Sequence, residues 1–498
     1  MLTVLILEGG SWVEISVRLD RVNAAPSQSA LASVLESSIS ATGALMIRSL
    51  LTSVAMMSAT AANCADLGGL PRSAFLGTQL APAGEGSVQP VVRGVIPQST
   101  AAALKLHPAD VLVEINGAAT PDVPSAVAAA GRLKAGQPIK IEIKRGGQAL
   151  TLEGRAIGKP LESYPNVNVT YGSFAFQGGK VRDILAMPAG VPNAPVVFLL
   201  PGFSCVSIEP PSAGHAYRVL AARLTAAKIG FYRAEKPGMG DSLGGPQCAD
   251  ITFQTELDSF RAAYRHLTDT LHIRADRIVM LGHSLGALEA PLLADERAPR
   301  GIAVYGAVLR NWADYHQQLA SVQRFLIDGT DPGRNYAEGE QVRPLFEAYY
   351  FEHKSPDQIA REQPGQARAL KDALGWDGGE RVIGRNWRFM QALSGLNLPA
   401  AWRHARSNVL SLYGGADVVA LFDTDQKLIA DIAEFTRPGS GTYIEVPDAD
   451  HGMTRTGTRV QARADTVAGR QVTSAFNEDV AKALIGWVET IMAKPPVS

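Results

Sequence analysis

Ser284 is the residue with the most chemistry to offer. It stands at the centre of Gly282-His283-Ser284-Leu285-Gly286, a small-x-Ser-x-small pattern that fits a nucleophile elbow. The run before it, Arg277-Ile278-Val279-Met280-Leu281, reads as a short buried strand, and Ala287-Leu288-Glu289-Ala290-Pro291-Leu292-Leu293-Ala294 opens like a helix. Strand, sharp turn and helix are the context the motif requires: small residues on either side let the two elements approach while the hydroxyl projects above the sheet. A serine hydroxyl is a weak nucleophile at its ordinary pKa, so a base and a group to orient that base must come from elsewhere in the chain.

The surrounding elements have the rhythm to position such a group. Pro195-Val196-Val197-Phe198-Leu199-Leu200 is a near-continuous apolar run, as in a strand buried on both faces. Val167 to Phe176 and Lys180 to Met187 read as an antiparallel pair turning at Gln177-Gly178-Gly179. Helical stretches at Tyr217 to Lys228 and Thr255 to Leu271 alternate with strands at Gly230 to Arg233, at the elbow and at Gly301 to Leu309. That alternation predicts a mostly parallel sheet with helices on both faces. From Asn311 to about Arg406 the strand rhythm gives way to helices rich in Trp and Tyr, the pattern of an inserted lid.

With the elbow on a central strand, residues 161–495 resemble an α/β-hydrolase domain, with the lid at about 311–406. The resemblance implies that the base is His451, because it follows the last strand, Thr442 to Pro447, in a loop near the C-terminus. It implies that the acid is Asp417, in the Gly414-Gly415-Ala416-Asp417 loop after the strand Asn408 to Tyr413. The chain order Ser284, Asp417, His451 is the one this fold uses. Asp425, Asp448 and Asp450 read as cap or turn residues, His283 as directed away from its neighbour's hydroxyl, and His215, His316, His353 and His404 as surface or lid residues. The oxyanion hole is expected from the backbone N–H groups of Phe203 and Leu285, since Pro201 has none to give. Cys205 and Cys248 fall in loops after strands that are neighbours in this fold. In an exported chain they are expected to pair as a disulfide bracing the rim. Glu235-Lys236-Pro237-Gly238-Met239-Gly240-Asp241-Ser242 is similar to the Gly-x-Gly-x-Ser loop of such hydrolases. It lacks the Walker lysine and following helix of a nucleotide site.

A second unit occupies residues 67–158. Val91 to Val95, Val111 to Ile115 and Ile139 to Ile143 read as strands, Ser99 to Lys105 and Pro124 to Leu133 as helices, and Asn116-Gly117 and Gly146-Gly147 as tight turns. This small α+β unit resembles a PDZ domain of the bacterial type. Phe75, Leu76, Gly77 and Thr78 stand where such domains keep the loop that binds a peptide carboxylate, so the resemblance implies either the C-terminus of a peptide or protein as partner or a unit that packs on its neighbour and binds no peptide. The family's glycines before the aspartate of this turn are absent from Lys105-Leu106-His107-Pro108-Ala109-Asp110, so that turn is expected to differ. Gly158-Lys159-Pro160-Leu161 reads as a short linker to the larger domain.

The 498 residues exceed one ordinary core. Lys+Arg 47 against Asp+Glu 48 gives a net charge of -1 with no basic run, which excludes nucleic acid as a partner. No His/Cys cluster has metal-ligand spacing and no cofactor is implied. Residues 46–65, with Met46-Ile47-Arg48 before an apolar stretch and Ala59-Thr60-Ala61-Ala62 after it, resemble a bacterial signal peptide too short for a stable membrane span. Residues 1–45 are then expected to be an upstream over-extension without ordered structure, Met46 being the start. Taken together, the chain reads as a periplasmic or secreted serine hydrolase acting on a small ester or acyl substrate. An aminopeptidase- or amidase-like activity from the same three residues is one alternative, and a PDZ-mediated peptide-binding adaptor with a vestigial hydrolase is another.

Overall fold

The computed structural model of the protein describes residues 3–8, 11–16, 67–83, 88–470 and 475–495. The signal-like stretch 46–65 and most of residues 1–45 lie outside these. Inside the segment expected to be unordered, β1 (Thr3–Glu8) and β2 (Ser11–Ser16) pair antiparallel, Thr3 opposite Ser16.

In the N-terminal unit, β3 (Thr78–Pro82), β4 (Pro90–Val95), β5 (Val111–Ile115), β7 (Pro138–Arg145) and β8 (Gln148–Arg155) follow one another across a sheet, and β6 (Ala118–Ala119) pairs with β5. The short helix Thr100–Ala103 is capped by Ser99 and the helix Val123–Gly131 by Asp122; each side chain accepts an N–H left free in the first turn. Val92, Leu112, Ile115, Ile139, Ile141 and Ile143 form the core between sheet and helices. The turn without glycines does differ in chemistry. Lys105 and Ala109 take positive φ, at 58° and 74°, and the strain is offset by Asp110, whose carboxylate accepts the His107 N–H at 2.8 Å and pairs with Arg145 at 2.7 Å.

The larger domain is built on eight strands: β9 (Val167–Phe176), β10 (Gly179–Pro188), β11 (Val196–Leu200), β12 (Gly230–Ala234), β13 (Ile278–His283), β14 (Gly301–Tyr305), β17 (Asn408–Gly414) and β18 (Gly441–Val446). Their order is β18-β17-β14-β13-β11-β12-β10-β9, antiparallel only at the β9, β10 and β12 end. Buried residues alternate between two layers, Val196, Phe198 and Leu200 facing one set of helices and Val197 and Leu199 the other. After β11 the chain moves to β12 on one side and returns as β13 on the other, with Leu200 opposite Gly282. Such a switch point opens a crevice at the strands' carboxyl ends.

Between β14 and β17 lies the lid, with helices Trp312–Asp328, Pro332–Phe346 and Trp387–Ser394 and a two-residue pair, β15 (Arg381–Val382) with β16 (Arg385–Asn386). Its aromatics are mostly core: Trp312, Tyr315, Tyr349, Tyr350 and Phe389 are buried, whereas Phe351 is exposed. His316, read as a surface or lid residue, is a buried lid residue that meets the Tyr350 hydroxyl at 2.6 Å. No helix among the described residues is long and apolar enough to cross a membrane.

The segment 158–161 is less of a free linker than its composition implies. The Arg72 guanidinium donates to the carbonyls of Lys159 and Pro160, and the Lys159 N–H donates to Ser73. The connection is thus sewn into the junction between the two domains.

Candidate active site

Ser284 leaves β13 with φ at 55°, in the left-handed region that a side chain rarely occupies. The turn is held by its own N–H, which donates to Tyr305 at 2.9 Å. Both elbow glycines are needed for space. A Cβ on Gly282 would lie 2.5 Å from the Gly286 carbonyl oxygen, and one on Gly286 would lie 2.0 Å from that of Leu200.

The three residues singled out from the sequence meet here. His451 Nδ1 donates to Asp417 Oδ2 at 2.8 Å, which leaves Nε2 free of a proton to accept the Ser284 hydroxyl at 2.9 Å. Asp417 is fully buried, and its other oxygen accepts the N–H groups of Val419 and Ala420. Burial alone would depress the His451 imidazole, but the charge and hydrogen bond of Asp417, helped by Asp450, outweigh it and hold the pKa above the ordinary histidine value. Gly306 lies against this ring, since a Cβ there would be 2.7 Å from His451 Cε1.

His283 does turn away from Ser284, but into the site's support. Its Nε2 lies 2.8 Å from the His451 carbonyl oxygen, which can only accept, so Nε2 carries the proton and Nδ1 accepts from the Tyr217 hydroxyl at 2.8 Å. Burial, reinforced by the nearby His451, lowers its pKa to about 3. The Tyr305 hydroxyl holds the preceding carbonyl, that of Asp450. Two consecutive peptides beside the His451 ring are therefore pinned by side chains from the sheet.

Gly202 brings the loop after β11 against the serine, a Cβ at Gly202 falling 3.5 Å from Ser284 Cβ. Beneath this loop lies a cluster that sequence reasoning missed. Lys236 Nζ donates to the carbonyls of Gly202 at 2.6 Å and Phe203 at 3.1 Å, and pairs with Glu256 at 2.9 Å. Arg385, from β16 of the lid, donates to Phe203 at 2.8 Å, pairs with Glu256 at 2.5 Å and stacks on Phe389 at 3.9 Å. Lys236, Glu256 and Arg385 are all buried. Burial lowers the Lys236 pKa. Glu289, one turn into the elbow helix, is also buried, and its carboxyl is pushed well above its usual range, first by burial and then by the charge of Glu256.

Farther along the same loop, Cys205 and Cys248 form a disulfide. Beyond it, Glu209 meets Arg72 of the N-terminal segment at 2.6 Å, and Asp241 meets the same guanidinium at 2.8 Å. In the other domain, Phe75 and Leu76 spend their carbonyls on the N–H groups of Thr100 and Ala101, and Gly77 takes φ at 71°. Thr78 begins β3, which pairs only with β4 among the described residues and so leaves one edge open. Among those residues no cluster of His, Cys, Asp and Glu is arranged to hold a metal ion. A cavity of about 660 Å³ lies within the lid, lined by His316, Gln323, Val342 and Ile383 among others. Its lining does not include Ser284, His451 or Asp417; Gln323 alone reaches towards them, donating to the carbonyl of Val418.

Two family models agree with this architecture. A family model described as the alpha/beta hydrolase family matches residues 196–465, and a PDZ domain model matches residues 74–154. No curated protein matches the sequence. Among solved structures, Est1E from Butyrivibrio proteoclasticus bound to ferulic acid is 16% identical with a TM-score of 0.40, covering 65% of this chain and 99% of that one. A thermostable carboxyl esterase from Bacillus coagulans is 13% identical with a TM-score of 0.39, over 65% and 99%. The esterase domain of a Rhodothermus marinus protein is 16% identical with a TM-score of 0.35, over 63% and 98%.

Proposed function

We propose that this chain, which belongs to the alpha/beta hydrolase family, is an exported serine hydrolase that cleaves carboxylic esters. The observation that carries the reading is the unbroken hydrogen-bond path from Asp417 through His451 to Ser284. In the first step Ser284 Oγ attacks the ester carbonyl as His451 Nε2 takes its proton, and Asp417 stabilises the imidazolium that forms. The negative oxygen of the tetrahedral species is held by the backbone N–H groups of Phe203 and Leu285. His451 returns the proton to the departing alcohol, and water then releases the acyl group from Ser284 by the same steps in reverse.

Preference for an ester over a peptide is supported by how the carboxylates around the site are used. An aminopeptidase needs an acid to anchor the substrate's ammonium. Here Asp425 is taken by Arg310, Asp450 by Thr454, Glu235 by Ser207 and Glu256 by Lys236 and Arg385, while Glu289, the one without a hydrogen-bond partner, is fully buried and pushed by burial towards its neutral form. Export is supported by the Cys205–Cys248 disulfide, a bond that persists in oxidising compartments. The PDZ domain is read as a receptor for a peptide C-terminus added along the open edge of β3.

Fluorophosphonate labelling of wild type and Ser284→Ala tests the catalyst. Wild type labels stoichiometrically, and the variant neither labels nor turns over, with a loss in kcat on the order of a million-fold. A wild type that fails to label ends the reading. Faster turnover of aminoacyl anilides than of p-nitrophenyl esters would transfer it to amide substrates.

A further inference from the structure

We propose that Lys236 is a positioning residue for the oxyanion site, acting through the Gly202 carbonyl to fix the peptide whose N–H receives the developing charge, with Arg385 of the lid securing the next peptide. The inference rests on the serine-hydrolase reading. Its geometric basis is the trans peptide. No cis bond occurs among the described residues, and in a trans unit the C=O and the following N–H point to opposite sides. Anchoring the Gly202 oxygen to Lys236 Nζ at 2.6 Å therefore turns the Phe203 N–H away from the lysine. The peptide needs such an anchor. Gly202 has no side chain to limit rotation about its own bonds, so the plane could otherwise flip and present its carbonyl where the donor is required.

The chemistry of the lysine fits this task. Lys236 donates hydrogen bonds to the carbonyls of Gly202 and Phe203, and its ammonium is paired in charge with the Glu256 carboxylate. Lys236 is fully buried, and a buried charge is costly unless it is paired. A cation on the carbonyl side of an amide also polarises it, which makes the N–H on the far side a stronger donor. Arg385 belongs to the lid and shares Glu256 with Lys236, so the lid's seating reaches the same loop. The sequence around Lys236-Pro237-Gly238 carries no hint of this, because the lysine's partners come from the loop after β11 and from the helix Phe253–Arg265.

The experiment compares wild type, Lys236→Met and the charge-balanced double variant Lys236→Met/Glu256→Gln. Active sites are counted by fluorophosphonate labelling so that any misfolded fraction drops out. The variants are expected to lose about 100-fold in kcat on a p-nitrophenyl ester, the scale of one lost oxyanion donor, with KM within about threefold. Inhibition by an aryl boronic acid, whose serine adduct carries an oxygen in the oxyanion position, should weaken in proportion to kcat. A labelled double variant that keeps kcat within threefold of wild type overturns the proposal. So does a loss of kcat with boronate affinity unchanged. If wild type itself does not label, it is the serine-hydrolase reading that has failed.

Discussion

The loop from Gly202 to Glu209 is held at both ends by buried ions, and the two ends are built differently. At the near end Lys236 and Arg385 point their donors at backbone carbonyls and share one carboxylate, Glu256. At the far end a single guanidinium, Arg72, spends all five donors: on Glu209 twice, on Asp241, and on the carbonyls of Lys159 and Pro160. Tyr171 lies under it, with the ring 5.0 Å from the guanidinium carbon and the hydroxyl on Glu209 at 2.5 Å. The near end therefore sets the direction of peptides beside Ser284, and the far end fastens the PDZ domain to the hydrolase. Mutations at the first should appear in rate, and mutations at the second in stability.

Arg72→Met gives the largest expected effect on stability. It removes the cation shared by Glu209 and Asp241, both buried, and leaves them only the longer ion pairs with Lys159 at 3.4 Å and Arg182 at 3.5 Å. Breaking a buried pair from one side typically costs about 3–5 kcal/mol. Thermal or urea unfolding should register that loss while kcat per labelled site stays within a few fold of wild type. A 100-fold fall in kcat at unchanged stability would erase the distinction between the two ends.

The disulfide stands between the ends and should be worth somewhat less. It closes a loop of 43 residues in sequence separation, and the chain-entropy estimate for such a loop is about 4 kcal/mol, of which real bridges often deliver less. Cys205→Ala/Cys248→Ala is expected to lower stability by about 2–4 kcal/mol. Because the bridge lies nearer to Phe203 than Arg72 does along the chain, a modest fall in kcat should accompany it. Loss of the same stability on reduction of wild type with dithiothreitol checks that the bond, and not the side-chain volume, is responsible.

Much of this arrangement was legible in the sequence because it is local. The elbow reads from the glycines at either side of Ser284, and the acid loop from Gly414-Gly415-Ala416 after an apolar strand. The antiparallel pair β9 and β10 reads from Gln177-Gly178, whose positive φ values of 42° and 78° are those of a tight hairpin turn. What was missed depends on side chains from distant segments meeting in space. Arg385, in a lid turn among many polar residues, gives no sign that it reaches Glu256. Arg72 likewise gives none that it unites Glu209 and Asp241. The short linker at 158–161 reads from its Gly and Pro, but composition cannot record which guanidinium the carbonyls of Lys159 and Pro160 will meet. His283 was read correctly as facing away from the hydroxyl, yet its bond to the His451 carbonyl could not be foreseen without the fold.

Between the two ionic ends sits a carboxylate with no cation in contact, and it offers the finest test of the comparison. Glu235 is buried and accepts from the Ser207 hydroxyl and, at 3.0 Å, from the Ile208 N–H. Burial dominates and pushes its pKa up to about 7, although Ser207, Lys159 and Ile208 oppose the shift. Asp241, with Arg72 beside it, goes the other way: burial would raise it, but the guanidinium and Ser73 hold it below the usual carboxylate range. The signs for stability are therefore opposite. A group whose folded pKa is raised binds its proton more tightly in the folded state, so Glu235 contributes stability below its unfolded pKa and loses that contribution as pH rises towards 7. Asp241 contributes stability above its unfolded pKa and loses it as acid carries pH down through the folded value. Glu235→Gln keeps the shape and removes the proton. Relative to the variant, wild type should lose stability between about pH 5 and 7, approaching about 1.4 kcal/mol per pH unit at the steepest. Urea unfolding of both proteins across pH 5 to 8 reads the difference. Parallel curves would mean that Glu235 is not forced into its acid form by burial, and that a cation reaches the middle of the loop as well as its ends.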